Sequence, residues 1–132
     1  MSDYRRATSI LAAELAARID RVLPAGFIST STETEVALFV GDGHQLRTID
    51  ILPEKWDEED FRDAAVRSVL QVLHDFQDDV IEELWEAWPI SAGRVAPAEP
   101  YARVDGNVLR TGYGYGTLRV MDLEPIDISA FP

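Results

Sequence analysis

Apolar residues recur at three- and four-residue spacing over residues 4–23, and this spacing predicts a first helix. Leu11, Leu15 and Ile19 mark its apolar face, and the alanines between them favour helical backbone. Pro24, followed by an alanine and a glycine, is typical of a helix stop. We therefore expect an amphipathic helix with one buried face.

The same spacing returns over residues 58–88 and predicts a second, longer helix that Pro89 ends. Asp57 is the predicted N-cap, with acidic residues in the first turn and with Trp56 and Phe61 as a hydrophobic staple. A straight helix over this stretch would be about 46 Å long, which is more than a domain of this size spans. We therefore expect it to bend, to break or to project toward a partner.

Runs rich in alternating apolar and β-branched residues predict strands on both sides of the second helix. Before that helix, the Gly-Asp-Gly sequence at 41–43 predicts a hairpin, and after it the pair Asp105-Gly106 favours a type I′ turn. The predicted strand segments are residues 27–32, 35–40, 44–52, 101–104, 107–113 and 117–123. The tail after residue 123 is apolar enough to dock on the body but has no regular pattern.

The order of elements is α-β-β-β-α-β-β-β, which indicates an α+β fold in a single domain over residues 1–132. We expect one antiparallel sheet of about five or six strands, with both helices packed on one of its faces. The hydrophobic share of 46% is that of a globular protein, and a chain of this length buries enough surface to fold without disulfides.

The chain is strongly acidic, with 24 acidic against 12 basic residues and a formal net charge of −12. Residues 54–86 alone hold twelve acids against Lys55, Arg62 and Arg67. A surface of this sign repels phosphate, which argues against binding to nucleic acid or to anionic membranes. The basic residues are eleven arginines and one lysine, a usage typical of a GC-rich bacterial source.

The absence of cysteine excludes disulfide scaffolds, cysteine-ligated metals and thiol nucleophiles. Near the start, Glu14, Arg18 and Asp20 interrupt the apolar residues, so this segment is neither a signal sequence nor a membrane span. We therefore expect a cytoplasmic protein.

Sequence motifs of nucleotide hydrolysis, serine hydrolysis and zinc peptidases are absent, which favours a non-enzymatic role without a cofactor. Gly112, Gly114 and Gly116 resemble a phosphate loop only superficially, because a strand and not a helix follows them. In an extended chain these glycines share one bare face, against which a neighbouring backbone can lie closely. We predict a bend or turn at residues 114–116.

The acidic face of the second helix offers an alternative function, namely a small metal-binding protein or a metal-assisted enzyme. Carboxylates at helical spacing beside a histidine suit a divalent cation, although such a stripe is more often the solvated face of a helix. The candidate ligands are His74, Asp75, Asp78, Asp79 and Glu82. The only other histidine, His44, could join them if the fold brings it near.

The aromatic end of the second helix predicts a contact surface for another protein. Trp88 continues the apolar stripe, whereas Trp85 lies at its edge beside Ile81, and aromatic residues are enriched in binding hot spots. The alternative is that both tryptophans fill the core. The predicted surface consists of Ile81, Trp85, Tyr113 and Tyr115, with an electrostatic rim of Asp75, Asp78, Asp79, Glu82 and Glu86.

The order of elements, the length, the acidity and the lack of cysteine are together similar to the type III secretion chaperone-like fold. That family consists of small acidic homodimers that hold an extended segment of a partner. The resemblance implies a homodimeric chaperone-like protein, and the other kind of binding protein that we consider is an immunity-type protein. The leading hypothesis is therefore a non-enzymatic interaction module.

Overall fold

A computed structural model describes residues 2–51, 60–91 and 93–131, and it confirms the α+β class and the predicted order of elements. The elements in the described residues are α1 Ser2–Val22, β1 Phe27–Thr32, β2 Glu35–Val40, β3 His44–Asp50, α2 Phe61–Leu84, β4 Glu99–Asp105, β5 Val108–Tyr115, β6 Leu118–Asp122 and β7 Ile126–Asp127. The last strand, β7, lies in the tail for which the sequence shows no regular pattern.

The strands form two antiparallel sheets, where the sequence predicted a single one. The first has the order β1-β2-β3, and the second has the order β4-β5-β6 with β7 paired to β5. Helix α1 lies against β1 and β2, whereas α2 lies chiefly against β4 and also contacts β3 and β5. Alternation along a strand assigns its faces but not the strand that borders its edge, so the pattern could not show this division.

The buried apolar side chains of both helices and both sheets form one continuous cluster. Leu11, Leu15 and Ile19 of α1 belong to it, as the spacing predicted. The tail contributes as well, because Ile126 and Ile128 are buried. The buried residues of α2 belong to the same cluster, so this helix has one core-facing side and one outward side.

Helix α2 begins at Phe61, with the Asp60 side chain accepting a hydrogen bond from the Arg62 backbone N–H. The predicted cap Asp57, the predicted start at residue 58 and Trp56 lie outside the described residues. At the other end the helix stops at Leu84, four residues before the predicted end at Trp88. The apolar spacing continues beyond Leu84, but the backbone leaves the helix there.

The two predicted hairpins are present. Residues 41–43 connect β2 to β3, and Gly106 with Asn107 connects β4 to β5, whose closing pair is Asp105 and Val108. Gly106 has a φ of 65°, whereas Asn107 is not among the described residues with positive φ. A type I′ turn requires positive φ at both central residues, so this turn is of type II′ instead.

Two glycines of β5 lie unusually close to the backbone of the paired strand β6. A Cβ atom on Gly114 would stand 2.5 Å from the carbonyl oxygen of Leu118, and one on Gly112 would collide with the carbonyl oxygen of Met121. The register between β5 and β6 shifts between Tyr113 and Gly114, as at a β-bulge. The predicted turn lies slightly further on, at Gly116 and the residue after it.

Candidate functional site

The C-terminal end of α2 carries the largest exposed aromatic side chain of the described residues. Trp85 caps the helix, and its side chain is 92% exposed. Its indole borders an open groove with a volume of about 460 Å³. The groove is lined by Ile81, Glu82, Trp85, Glu86, Ala87 and Pro97. The structure thus brings Ile81 and Trp85 together at one site, as the sequence predicted.

The backbone at Trp85 explains why one tryptophan is exposed and the other is not. Trp85 has left-handed backbone angles, φ 59° and ψ 27°, and its N–H donates to the carbonyl oxygen of Ile81. This conformation ends the helix and redirects the chain, so Trp88 turns toward the core. The Trp88 ring packs edge-on against Tyr113, with 5.4 Å between ring centroids. The alternative that both tryptophans fill the core is therefore wrong.

The second wall of the groove is a loop whose two ends are tied together. At the two ends of this loop, which we call the loop neck, the backbone N–H of Ala98 donates to the carbonyl oxygen of Pro89 at 2.7 Å. The buried Gln77 amide of α2 donates to the carbonyl oxygens of Trp88, at 3.1 Å, and of Ala98. These bonds hold Pro97 in place opposite α2. Sequence reasoning missed Gln77, although a glutamine among the apolar positions of a helix is a signal for such a role.

Tyr115 supports the same loop from the second sheet. Its hydroxyl donates to the carbonyl oxygen of Ala96 at 2.5 Å, and the Arg94 guanidinium lies 4.3 Å from the centre of its ring. The ring is half-buried within the protein's own structure. Tyr115 therefore supports the loop that carries Pro97, and its part in the contact surface stays a prediction.

Tyr113 is a core residue and not a contact residue, which corrects the sequence prediction. It is 2% exposed, and its hydroxyl donates to the carbonyl oxygen of Leu73 on α2 at 2.7 Å. Burial raises the pKa of the Tyr113 hydroxyl above its usual range. The tyrosines of β5 lie on the side opposite the bare glycine face, and this side is the one that α2 covers.

Two of the predicted rim acids connect α2 to the first sheet. The Arg47 guanidinium of β3 donates to both carboxylate oxygens of Asp79, at 2.6 and 3.0 Å, and lies 3.7 Å from Asp75. The side chains of Asp75 and Asp79 are only 18% and 12% exposed. The hydrogen bond to Asp79 is the main reason that the pKa of Arg47 is raised. Asp79 is therefore bound by Arg47 and Asp75 lies close to the same cation, so neither acid is part of a free rim.

The remaining predicted rim acids, Asp78, Glu82 and Glu86, are exposed. Glu82 and Glu86 line the groove, and within the described residues neither of them nor Glu83 forms an ion pair. The last turn of α2 contains no basic residue. No basic residue of the helix's own last turn therefore offsets the negative end of its dipole, where these glutamates lie.

Three of the five candidate metal ligands lie together. The Nδ1 atom of His74 is 3.3 Å from an oxygen of Asp75 and 3.7 Å from an oxygen of Asp78, and one ligand atom from each lies within 4.8 Å of the others. Asp79 is held by Arg47, and Glu82 faces the groove instead. Within the described residues His44 is not part of this cluster.

Comparison of the chain with protein-family models, with curated proteins and with solved structures finds no significant match. In the described part of the chain, neither helix has the length and apolar character that crossing a membrane requires.

Proposed function

We propose that this protein is a non-enzymatic interaction module that binds another polypeptide through the groove at the end of α2. The observation that carries this proposal is Trp85, whose indole is 92% exposed beside an apolar groove. An exposed tryptophan contributes nothing to the core, whereas tryptophan is enriched in the hot spots of protein interfaces. Its position is what a partner-binding role requires.

The backbone of Trp85 strengthens this interpretation. Left-handed angles cost an ordinary residue roughly 1–2 kcal/mol, and helices that end this way usually place glycine or asparagine there. A bulky tryptophan at such a position benefits neither the cap nor the core. A strained and exposed side chain is more readily explained by contact with a partner than by stability.

Hydrogen bonds within the protein also hold one wall of the groove in place without a partner. Gln77 fixes the loop neck through two carbonyl oxygens, and Tyr115 fixes the loop itself through Ala96. A preformed site spends little binding energy on ordering its own side chains.

The acidity, the α+β order of elements and the preformed groove support a chaperone-like or immunity-type role. Under this proposal the protein is a small cytoplasmic homodimer, and its partner is another protein or a second copy of the same chain. Nucleic acid and membranes are not partners, because the net charge of −12 repels phosphate.

The test is a pull-down from an extract of the source organism with the purified protein, compared with a Trp85→Ser variant. We expect one or more proteins to be retained by the wild type and lost with the variant. The control is Ile28→Thr, which changes an exposed apolar residue on β1, in the other sheet. Equal retention by all three proteins would overturn the proposal for this site.

Sedimentation of the same proteins tests the homodimer separately. If a dimer forms through the groove, Trp85→Ser shifts it to monomer and Ile28→Thr does not. A monomer at tens of micromolar wild-type protein would remove the homodimer from the proposal and leave binding to a different protein in place.

A second candidate function is binding of a divalent cation by His74, Asp75 and Asp78, favoured by the 4.8 Å spacing of their ligand atoms. Titration with Mn²⁺ or Zn²⁺ should then raise the thermal stability, by about 2.7 kcal/mol at a hundredfold excess over Kd. His74→Ala should abolish this effect and His44→Ala should not. An unchanged melting temperature in the wild type excludes the metal function.

A further inference from the structure

We infer that the occupant of the groove is a basic segment of a partner protein, in which a large apolar side chain is flanked by arginine or lysine. This inference rests on the proposed function, because it assumes that the groove binds a polypeptide. It goes further by naming the chemistry of the bound segment.

The apolar residues that line the groove indicate that the bound segment carries an apolar side chain. Ile81, Ala87 and Pro97 contribute hydrocarbon surface, and the Trp85 indole stands beside them with almost all of its surface exposed. An aromatic or branched side chain inserted here would cover this surface and release the water on it. The exposed indole face also attracts a guanidinium or ammonium group placed over it.

The acidic residues at the groove indicate that the bound segment is positively charged. Glu82 and Glu86 line the groove, Glu83 is exposed beside them, and these three acids have no ion-pair partner among the described residues. None of the described residues that line the groove is basic. The negative end of the α2 dipole, with no basic residue in its own last turn, adds to the same field. Cationic side chains on both sides of an apolar anchor therefore match the site.

The glutamates at the end of α2 differ from Asp75 and Asp79, which lie earlier on the same helix, in having no cationic partner among the described residues. One and two turns earlier on α2, these acids are matched by Arg47 of the same chain. At the helix end the described structure supplies no such cation. A partner would supply it.

The same charges argue against a second copy of this chain as the occupant. In a two-fold contact each copy presents the same surface, so the glutamates of both copies would enter one interface with no lining cation between them. The groove is also small, with a volume of about 460 Å³. A short extended or helical segment fits these dimensions better.

The test uses three fluorescein-labelled synthetic peptides and the purified protein, with binding followed by fluorescence anisotropy. The first has a central phenylalanine with two arginines on each side, the second replaces the arginines by glutamates, and the third replaces the phenylalanine by serine. We expect binding of the first peptide alone. Raising the salt from about 50 mM to about 300 mM should weaken this binding severalfold, because the charges are exposed.

Protein variants assign the binding to the groove. Glu82→Gln with Glu86→Gln should weaken binding of the basic peptide about threefold to tenfold, as expected for two exposed charge contacts. The matched control is Glu35→Gln with Asp63→Asn, which removes the same charge from exposed positions elsewhere. Trp85→Ser should weaken binding about tenfold or more.

The outcomes separate this inference from the proposed function. Equal binding of the basic and acidic peptides, or equal weakening by both double variants, would overturn the basic segment. If no peptide binds and Trp85→Ser instead dissociates a dimer in sedimentation, the occupant is a second copy and the inference is wrong while the interaction module stands. If no peptide binds and Trp85→Ser changes neither retention nor oligomeric state, both are wrong.

Discussion

Strand β5 and the end of α2 are both rich in aromatic residues, yet the fold uses them in opposite ways. Tyr113 of β5 is 2% exposed, whereas Trp85 of α2 is 92% exposed. The central strand β5 has strands on both edges and a helix across one face. The end of α2 instead breaks its regular backbone at the tryptophan. Tyr113 is thus buried under the helix that covers its strand, whereas Trp85 is exposed where the backbone leaves α2.

The two regions are also connected, because the buried one positions the exposed one. Trp88 rests against the ring of Tyr113, and the hydroxyl of Tyr115 holds the loop at Ala96. Pro97, which lines the groove, directly follows Ala96 in the chain. The aromatic residues of β5 therefore support the candidate site from within the fold.

Removal of the buried Tyr113 ring should destabilise the protein most. Tyr113→Ala should lower the free energy of unfolding by about 3–5 kcal/mol, because a large cavity opens between α2 and β5. Urea denaturation followed by circular dichroism measures the change. Tyr115→Ala, at a half-buried ring, should cost clearly less. A loss below about 1 kcal/mol for Tyr113→Ala would show that this ring does not fill the core.

The bare face of β5 predicts the next effect. Gly112→Ala should cost about 1–3 kcal/mol, because the added methyl group collides with the backbone of β6 and backbone cannot move aside as a side chain can. Gly116→Ala is the comparison, since its Cβ would enter open space and only the left-handed φ of 61° opposes it. Its cost should be about 1 kcal/mol. Thermal melts of both variants rank them, and a larger loss at Gly116 would refute the close approach.

Alkaline pH should destabilise the protein through the burial of Tyr113. Because burial raises the pKa of this hydroxyl, the unfolded chain releases the proton near pH 10 while the folded protein retains it. Stability is therefore lost as the pH rises, by about 1 kcal/mol between pH 10 and pH 11 for this group. Tyr101, whose pKa is raised to about 12 chiefly by burial, acts in the same direction.

The control for this pH dependence is Tyr113→Phe, which keeps the ring and removes the titrating group. Denaturation curves recorded across this range should show a shallower loss of stability for the variant than for the wild type. Parallel curves would mean that Tyr113 ionises equally well in the folded state.

The elements of this fold follow from spacing, but the pairing of distant residues does not. Helical spacing identified both helices, but it could not show that the left-handed backbone at Trp85 ends α2 and separates Trp85 from Trp88. The same spacing placed Asp75 and Asp79 on one stripe and could not show that Arg47, on a strand far earlier in the chain, neutralises both. Alternation likewise separated Tyr113 from the glycines without showing which of the two faces α2 would cover.

Substitution of Trp85 at the end of α2 should change the free energy of unfolding least. The change should be an increase, whereas Tyr113→Ala gives a decrease. Trp85→Gly should raise the free energy of unfolding by about 0.5 kcal/mol, because relief of the left-handed strain exceeds the greater backbone entropy of glycine in the unfolded chain. Chemical denaturation with a closely spaced series of urea concentrations resolves such a change. Trp88→Ala is the matched control, and it should destabilise, since this ring packs on Tyr113. If Trp85→Gly destabilises the protein as much as Trp88→Ala does, the exposed indole stabilises the folded state. Its exposure would then no longer support a role in binding a partner.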